Sequence, residues 1–170
     1  MLSYTRTESP AGSLLLAGDE VGLRKLLFRG EPDPAWREDA AFFKSAVDQL
    51  RAYFVRELQE FDVPLAPEGT SFQQRVWQEL CTISYGQTIT YGELARRIGN
   101  PAGSRAVGAA NGANPISIII PCHRVIGASG KLVGYGGGMR NKDLLLGLER
   151  SGLQGFQHSM FSLGAAGGDL

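Results

Sequence analysis

The chain has 170 residues, 43% of them hydrophobic, and it carries 17 acidic and 17 basic side chains. This composition excludes a disordered chain, and no apolar run reaches the ~20 residues that span a membrane. Because the N-terminus also lacks the apolar core of a signal peptide, the sequence predicts a cytoplasmic protein in which Cys81 and Cys122 are free thiols.

The first half of the chain predicts a small antiparallel sheet followed by one helix. Residues 2–28 contain three stretches typical of strands, separated by turns at 9–13 and 18–20. Residues 38–58 have helical spacing, and we expect their aromatic face to pack on the sheet. We expect no catalytic residue in this half, which also lacks the Cys and His that a zinc site needs.

An extended connection at 59–69 separates this half from a helical region. Thr70 and Ser71 predict the start of a helix with an apolar face that ends near Leu80. We interpret Cys81, at the end of this helix, as a packed apolar residue, since a free cysteine behaves as a small hydrophobe.

The next two helices have the pattern of a helix-turn-helix. A capping box at Thr90 and Glu93 predicts a helix over 91–98, and a second helix follows at 103–111 after a tight turn. The second helix is rich in small residues and carries Arg105, which favours close approach to a nucleic-acid backbone or a narrow groove. The alternatives are tight helix packing for the small residues and a surface salt bridge for Arg105.

Charge is unevenly divided between the two halves. Residues 1–69 contain eight Lys and Arg against twelve Asp and Glu, whereas residues 70–155 contain nine against four. A basic second half is typical of a protein that contacts a polyanion, and the alternative is a chance asymmetry.

The main chemical signal is the run Ile118-Ile119-Ile120-Pro121-Cys122-His123-Arg124. It predicts a buried strand that ends in a loop holding a thiol, a base and a cation. Because burial raises the pKa of a thiol, His123 or Arg124 would have to favour the reactive thiolate of Cys122. Side chains alternate along an extended segment, so we expect water to bridge Cys122 and His123. A carboxylate from elsewhere would orient His123; the alternative is a buried thiol beside a surface histidine.

The chain ends with one more predicted helix and a tail. Residues 141–150 predict a helix capped by Asn141, in which Glu149 would on spacing alone be a solvated surface residue. Residues 154–170, rich in Gly, Ser and Ala, predict a flexible tail.

Several of these segments together resemble one protein family. The sequence Ile-Pro-Cys-His-Arg-Val at 120–125 resembles the active-site signature of the O6-alkylguanine-DNA alkyltransferases, and the resemblance extends over residues 70–152. Supporting matches are Arg105 to Gly108, Asn114-Pro115 and Tyr135 to Gly138.

The resemblance implies a two-domain fold and a single-turnover repair reaction. Residues 1–69 would form an α/β domain with an antiparallel sheet, a helix and a linker. Residues 70–153 would form a mainly helical, winged-helix-like DNA-binding domain, followed by the flexible tail. An alkylated guanine, and by extension O4-alkylthymine, would be flipped out of duplex DNA, and its alkyl group would pass irreversibly to Cys122.

The resemblance also implies a role for each matched residue. Cys122 would accept the alkyl group, with His123 as its base through water and Glu149 orienting His123. Asn114 would order the active-site turn, and Tyr91 would assist the departing guanine and rotate the phosphate. The residues expected to contact DNA are Tyr91, Gly92, Asn100, Arg105, Ala106, Ala128 and Ser129. The residues expected to line the base pocket are Val125, Tyr135, Gly136 and Gly137.

The resemblance implies no cofactor. Some family members hold zinc in the N-terminal domain, but the residues for it are missing here, so we predict no metal. The expected partner is double-stranded DNA carrying an alkylated base and not a membrane. We expect a monomer, with clustering on DNA left open.

Two other classes of function remain open at this stage. A lesion-binding relative without activity would bind the damaged base only, but such relatives replace the cysteine that stands here at Cys122. A Cys-His hydrolase would turn over repeatedly, and it would leave Arg105 and the basic helix without a role.

Overall fold

The computed structural model describes residues 1–130 and 137–165, with the side chains of the last helix described as far as Gly152. The N-terminal half contains a four-stranded sheet in the order β3-β2-β1-β4. Its strands are β1 (Ser3–Ser9), β2 (Gly12–Asp19), β3 (Gly22–Phe28) and β4 (Arg37–Glu38). The first three are antiparallel neighbours and β4 runs parallel to β1, so the predicted antiparallel meander is confirmed.

Helix α1 (Lys44–Phe54) is shorter at both ends than the predicted helix over 38–58. At the front, the chain pairs with the sheet, because Asp39 N donates to Tyr4 O at 2.9 Å, and a short 3-10 turn follows at Ala41–Phe43. At the back, Arg56 has a positive φ of 63°, which ends the helical path. Sheet pairing and this reversal override the helical spacing of the flanking residues.

The C-terminal half is mainly helical, as predicted. It contains α2 (Ser71–Leu80), α3 (Tyr91–Arg97), α4 (Ser104–Gly112) and α5 (Met139–Ala165). Two short parallel strands, β5 (Ile89–Thr90) and β6 (Val125–Ile126), complete it. The indole of Trp77 donates to Ala110 O at 2.8 Å and ties α2 to α4.

The helix caps partly follow the sequence. Thr70 caps α2 in a reciprocal box with Gln73. Thr90 accepts from Glu93 N at 3.1 Å, but the Glu93 carboxylate pairs with arginines on α3 and does not close the predicted box. Cys81 is exposed just beyond α2, so its interpretation as a packed residue is wrong, because the helix and its apolar face end at Leu80.

The last helix differs from the prediction at both ends. It begins at Met139, and Asn141 lies inside its first turn with its amide donating to Gly137 O at 2.9 Å. It also continues through Ala165, over residues for which the sequence predicts a flexible tail. The apolar residues at 153, 156 and 160 recur at helical spacing, a signal outweighed in the sequence by the tail's small residues. Residues 166–170 lie outside the described residues.

The two halves meet along β3. Leu26 N donates to Pro115 O at 2.9 Å and Ser117 N donates to Leu26 O at 3.0 Å, so the segment after α4 continues the edge of the sheet. One hydrophobic core includes residues from the sheet, α1 and α2 to α5. The segment that leads to Cys122 is therefore held by both halves. No helix in the described part of the chain is long and apolar enough to cross a membrane.

Candidate active site

The segment before Cys122 is a hydrogen-bonded turn, not the buried strand that its isoleucines predict. Asn114 organises the turn: its amide donates to Ile120 O at 2.8 Å and its carbonyl oxygen accepts from Ile116 N at 3.0 Å. Ile118 has a positive φ of 71°, which a β-branched residue adopts only under strain. Ile118 and Ile120 are buried and Ile119 is half-buried, so burial and not strand geometry explains the apolar pattern.

Cys122, His123 and Arg124 form one turn of 3-10 helix and not an extended segment. All three side chains are buried, and His123 is fully enclosed. The alternative of a surface histidine beside a buried thiol is therefore excluded. Asn111, at the end of α4, donates to Cys122 O at 3.4 Å and helps to hold the turn.

Glu149 on α5 is the centre of a buried polar cluster. Its Oε2 lies 2.7 Å from His123 Nε2 and accepts from Tyr53 Oη at 2.6 Å. Arg124 donates to both carboxylate oxygens, from Nε to Oε1 at 2.8 Å and from Nη2 to Oε2 at 3.0 Å. Glu149 is 1% exposed, so the alternative of a solvated surface glutamate is wrong. No local sequence pattern indicates this burial, because it depends on the packing of α5 against the core.

These contacts set the charge state of the His–Glu pair. Burial acts to raise the pKa of Glu149, but the hydrogen bonds and charges of His123 and Arg124 outweigh it and hold that pKa well below its ordinary value. Burial lowers the pKa of His123, and the Glu149 carboxylate only partly opposes this. An ionised carboxylate can only accept a hydrogen bond, so Nε2 carries the proton and the neutral ring keeps its lone pair on Nδ1. Nδ1 is buried and has no hydrogen-bond partner in the described part of the chain.

The cation beside the thiol is not the one that the sequence suggests. Arg124 is committed to Glu149 and to Ile83 O, which it contacts at 2.6 Å through Nη1. Lys142 on α5, missed by the sequence analysis, is fully buried and donates to Val125 O at 2.6 Å. Burial lowers the pKa of Lys142, and the charge of Cys122 opposes the shift, which places the ammonium group within electrostatic reach of the sulfur.

Tyr91 is the first residue of α3 and interacts electrostatically with Cys122. Its ring lies beside Gly108 of α4, where an added Cβ would be 3.8 Å away, and its centroid is 6.0 Å from Lys142 Nζ. Burial and the charge of Cys122 raise the pKa of Tyr91, while a hydrogen bond with Asn111 lowers it. The hydroxyl therefore stays protonated near neutral pH and can donate.

Cys122 borders a cavity of about 250 Å³ between the two halves. Its walls come from the end of β3, the end of α4 and the Asn114 turn, namely Leu27, Phe28, Gly30, Asn111, Gly112, Asn114, Ser117 and Gly137. Gly137 is thus where the pocket prediction places it. Val125 is fully buried in β6 and is not part of this wall. Tyr135 and Gly136 lie outside the described residues.

Comparison with known proteins identifies the family of this chain. Residues 2–67 match the family model "6-O-methylguanine DNA methyltransferase, ribonuclease-like domain", and residues 71–151 match the DNA-binding domain of the same enzymes. The chain belongs to the 6-O-methylguanine DNA methyltransferase family. The predicted family resemblance and the two-part fold are therefore confirmed.

Similar members of the family come from archaea and bacteria. A methylated-DNA–protein-cysteine methyltransferase of Methanosarcina acetivorans is 56% identical over 153 residues, covering 87% of this chain and 98% of the relative. A Mycobacterium tuberculosis protein of the same name is 57% identical over 155 residues, covering 89% and 94%. The crystal structure of M. tuberculosis OGT in complex with DNA superposes with a TM-score of 0.85, at 56% identity, covering 88% of this chain and 94% of that one.

The residues predicted to contact DNA are exposed or partly exposed in the DNA-binding domain. Arg105 and Ala106 are exposed in the first turn of α4, and Asn100 is exposed in the turn before it. Tyr91 and Gly92, at the start of α3, are partly exposed, and Ala128 and Ser129 are exposed after β6. Arg105 forms no salt bridge with any residue that the structure describes, so the alternative role as a surface ion pair finds no partner there. On α4, Val107 and Ala110 are buried, as the alternative of helix packing requires, whereas Ala106 is exposed.

Proposed function

We propose that this protein repairs DNA by moving the alkyl group of O6-alkylguanine onto Cys122, once per molecule. The observation that supports the proposal is the position of Cys122 at a cavity wall, next to a buried His123 whose ring is paired with Glu149. A surface cysteine or a structural thiol needs no such pair. The family match and the DNA-bound relative support DNA as the partner.

The reaction follows from the arrangement of proton donors and acceptors. The proton of the Cys122 thiol passes through a water molecule to Nδ1 of His123, and Glu149 stabilises the resulting imidazolium through Nε2. The thiolate attacks the alkyl carbon, so that a C–S bond forms while the C–O6 bond breaks and its electron pair stays on the guanine. Tyr91 donates a hydrogen bond to the departing base, and the proton lost by the thiol balances the one that guanine takes up. The thioether is stable, which ends the reaction after one turnover.

The base must leave the duplex to reach the sulfur. Extruding a base costs a few kcal/mol, which contacts to the backbone and groove have to offset. We propose that Arg105 fills the gap in the stack from the minor groove, and that Asn100, Ala106, Ala128 and Ser129 contact the strands around it. The protein would act as a monomer in the cytoplasm on duplex DNA with an alkylated base.

The direct test is the mass of Cys122 after reaction. The protein is incubated with a duplex that contains one O6-methylguanine, and the peptide that contains Cys122 is weighed. We expect a gain of one methyl group that stops at one equivalent, and no gain in Cys122→Ala, which still binds the duplex. Binding without a mass gain in the unmodified protein would instead indicate a lesion-binding protein. Repeated hydrolysis of an ester substrate would indicate a hydrolase.

A second experiment tests the His–Glu pair. Glu149→Gln removes the charge behind His123, and we expect single-turnover methyl transfer to slow by roughly 10²-fold with unchanged DNA affinity. Asp143→Asn is the matched control, because it makes the same change on an exposed position of α5. Equal rates in the two variants would remove Glu149 from the mechanism.

A further inference from the structure

Tyr53 is the link between the N-terminal half and the buried polar cluster. It lies in the last turn of α1 and is fully buried. Its hydroxyl donates to Oε2 of Glu149 at 2.6 Å, a contact between residues 96 positions apart. Helical spacing places Tyr53 on an aromatic packing face, in the half of the chain where no catalytic residue is expected, and packing does not require this contact.

The contact is made to the one oxygen that faces the histidine. Oε2 of Glu149 lies 2.7 Å from His123 Nε2 and also accepts from Arg124 Nη2 at 3.0 Å. Tyr53 is thus the third residue that makes a hydrogen bond to Glu149 Oε2. Whatever changes the position or the charge of Oε2 acts on the ring that takes the proton of Cys122.

Packing alone accounts for the ring of Tyr53 but not for its hydroxyl. The ring packs against Phe54, Phe61 and Tyr85, with centroids 5.3, 5.4 and 6.2 Å away. A phenylalanine would make the same ring contacts. A buried tyrosine hydroxyl is retained at a cost unless it has a partner, and at Tyr53 the partner belongs to the active site.

We propose that Tyr53 is a positioning residue of the methyl-transfer site, whose hydroxyl fixes Glu149 Oε2 and takes up part of its negative charge. The proposal rests on the proposed function, since it assumes that His123 accepts the proton of Cys122. A carboxylate whose charge is shared among more donors attracts the Nε2 proton less strongly. His123 therefore stays neutral, as a proton acceptor must be.

The other charged groups around the ring fix the sign of the effect. The groups that face His123 or its carboxylate partner come from the 3-10 turn, α5, α1 and the turn after α2, and they are Cys122, Arg124, Lys142, Glu149, Tyr53 and Tyr85. Burial, followed by the nearby carboxylate, raises the pKa of Tyr53 well above its ordinary value, so its hydroxyl remains a neutral donor. Removing it leaves Oε2 with more charge toward His123, and the pKa of His123 rises.

The experiment measures single-turnover methyl transfer from a saturating O6-methylguanine duplex between about pH 5 and 8, where histidine titrates. In Tyr53→Phe we expect the acidic limb of the pH–rate profile to shift to higher pH by about half a unit. The shift is small because a neutral hydrogen bond changes a pKa by less than one unit. At a pH below the pKa of His123, where the rate varies in proportion to the fraction of neutral histidine, the rate then falls by about threefold. The matched control is Tyr4→Phe: that hydroxyl is on β1, outside the groups that face His123 or Glu149, and its removal should leave the profile unchanged.

Two results would overturn the proposal. One is an unchanged profile in Tyr53→Phe; the other is a rate that drops equally at every pH, which would indicate a structural role. Replacing Tyr53 by 3-fluorotyrosine gives a second reading if the phenylalanine variant does not fold. Its more acidic hydroxyl is a stronger donor and should move the acid side to lower pH, and a shift the other way would contradict the proposal. Absence of methyl transfer in the unmodified protein would instead refute the proposed function, so the two failures are distinct.

Discussion

Arg124 and Glu149 form a buried ion pair with two parallel contacts, from Nε to Oε1 at 2.8 Å and from Nη2 to Oε2 at 3.0 Å. The pairing fixes the plane of the carboxylate, because a guanidinium binds both oxygens in one geometry. The third contact of the guanidinium, from Nη1 to Ile83 O, ties the pair to the segment after α2. His123 therefore faces a carboxylate that cannot rotate away from it.

Removing Arg124 should destabilise the whole protein. Arg124→Ala leaves the buried Glu149 without its counter-ion, and breaking such a pair from one side costs about 3–5 kcal/mol. The measurement is urea unfolding of the two proteins at neutral pH. Arg6→Ala is the control, since Arg6 pairs with an exposed glutamate on the surface and its loss should have no measurable effect. A loss in Arg124→Ala no larger than in the control would mean that other donors keep the carboxylate charged.

The free energy of unfolding should fall in two steps as the pH is lowered. The pKa of His123 is lowered in the folded protein, mainly by burial, so below its ordinary value of 6.5 the unfolded chain binds a proton that the folded chain does not. The pKa of Glu149 is also lowered, so its stabilising effect is complete above the ordinary value of 4.5 and is lost as the pH falls below it toward the folded pKa. Urea unfolding at several pH values measures both steps. In Glu149→Gln the lower step should shrink; a lower step of the same size would assign it to other carboxylates.

Local sequence signals predicted much of the fold. The turn residues predicted the strands of the meander, and Thr70 predicted the start of α2, because turns and helix caps depend on neighbouring residues only. Strand and helix tendencies gave wrong predictions where contacts between residues distant in sequence determine the backbone conformation. The isoleucines before Cys122 became a turn because Asn114 bonds across it, and the front of the predicted helix over 38–58 joined the sheet.

The candidate site was predictable only in part, and for the same reason. Cys122 and His123 are adjacent in sequence, so their pattern was visible. Tyr53, Lys142 and Glu149 enter the site through folding, from positions that spacing alone assigns to packing or to the surface. Glu149 was found through the family resemblance, whereas Tyr53 and Lys142 carry no local signal.

Asn114 should control the shape of the turn that leads to Cys122. Asn114→Ala removes the acceptor of Ile116 N, and an unsatisfied buried backbone group costs about 1–3 kcal/mol. It also removes one of two donors to Ile120 O, which keeps its contact with Cys122 N at 2.8 Å. Asn114→Asp keeps the acceptor for Ile116 N and loses the donor to Ile120 O. We therefore expect slower methyl transfer in both variants and a cooperative loss of stability, measured by thermal unfolding. Normal rates in Asn114→Asp would show that the contact to Ile120 is dispensable.

Arg105 should matter for duplex DNA and not for the chemical step. Arg105→Ala lacks the side chain that we propose fills the stack after base extrusion, so methyl transfer from duplex DNA should slow by at least about tenfold, the effect of a few kcal/mol shared among several contacts. Reaction with the free base O6-methylguanine requires no extrusion, and its rate should be unchanged. The control is Arg51→Ala, which removes an exposed arginine from α1 and should leave both rates unaltered. If Arg105→Ala slows both substrates equally, Arg105 acts on the chemistry or on the fold, and its assignment to base flipping is wrong.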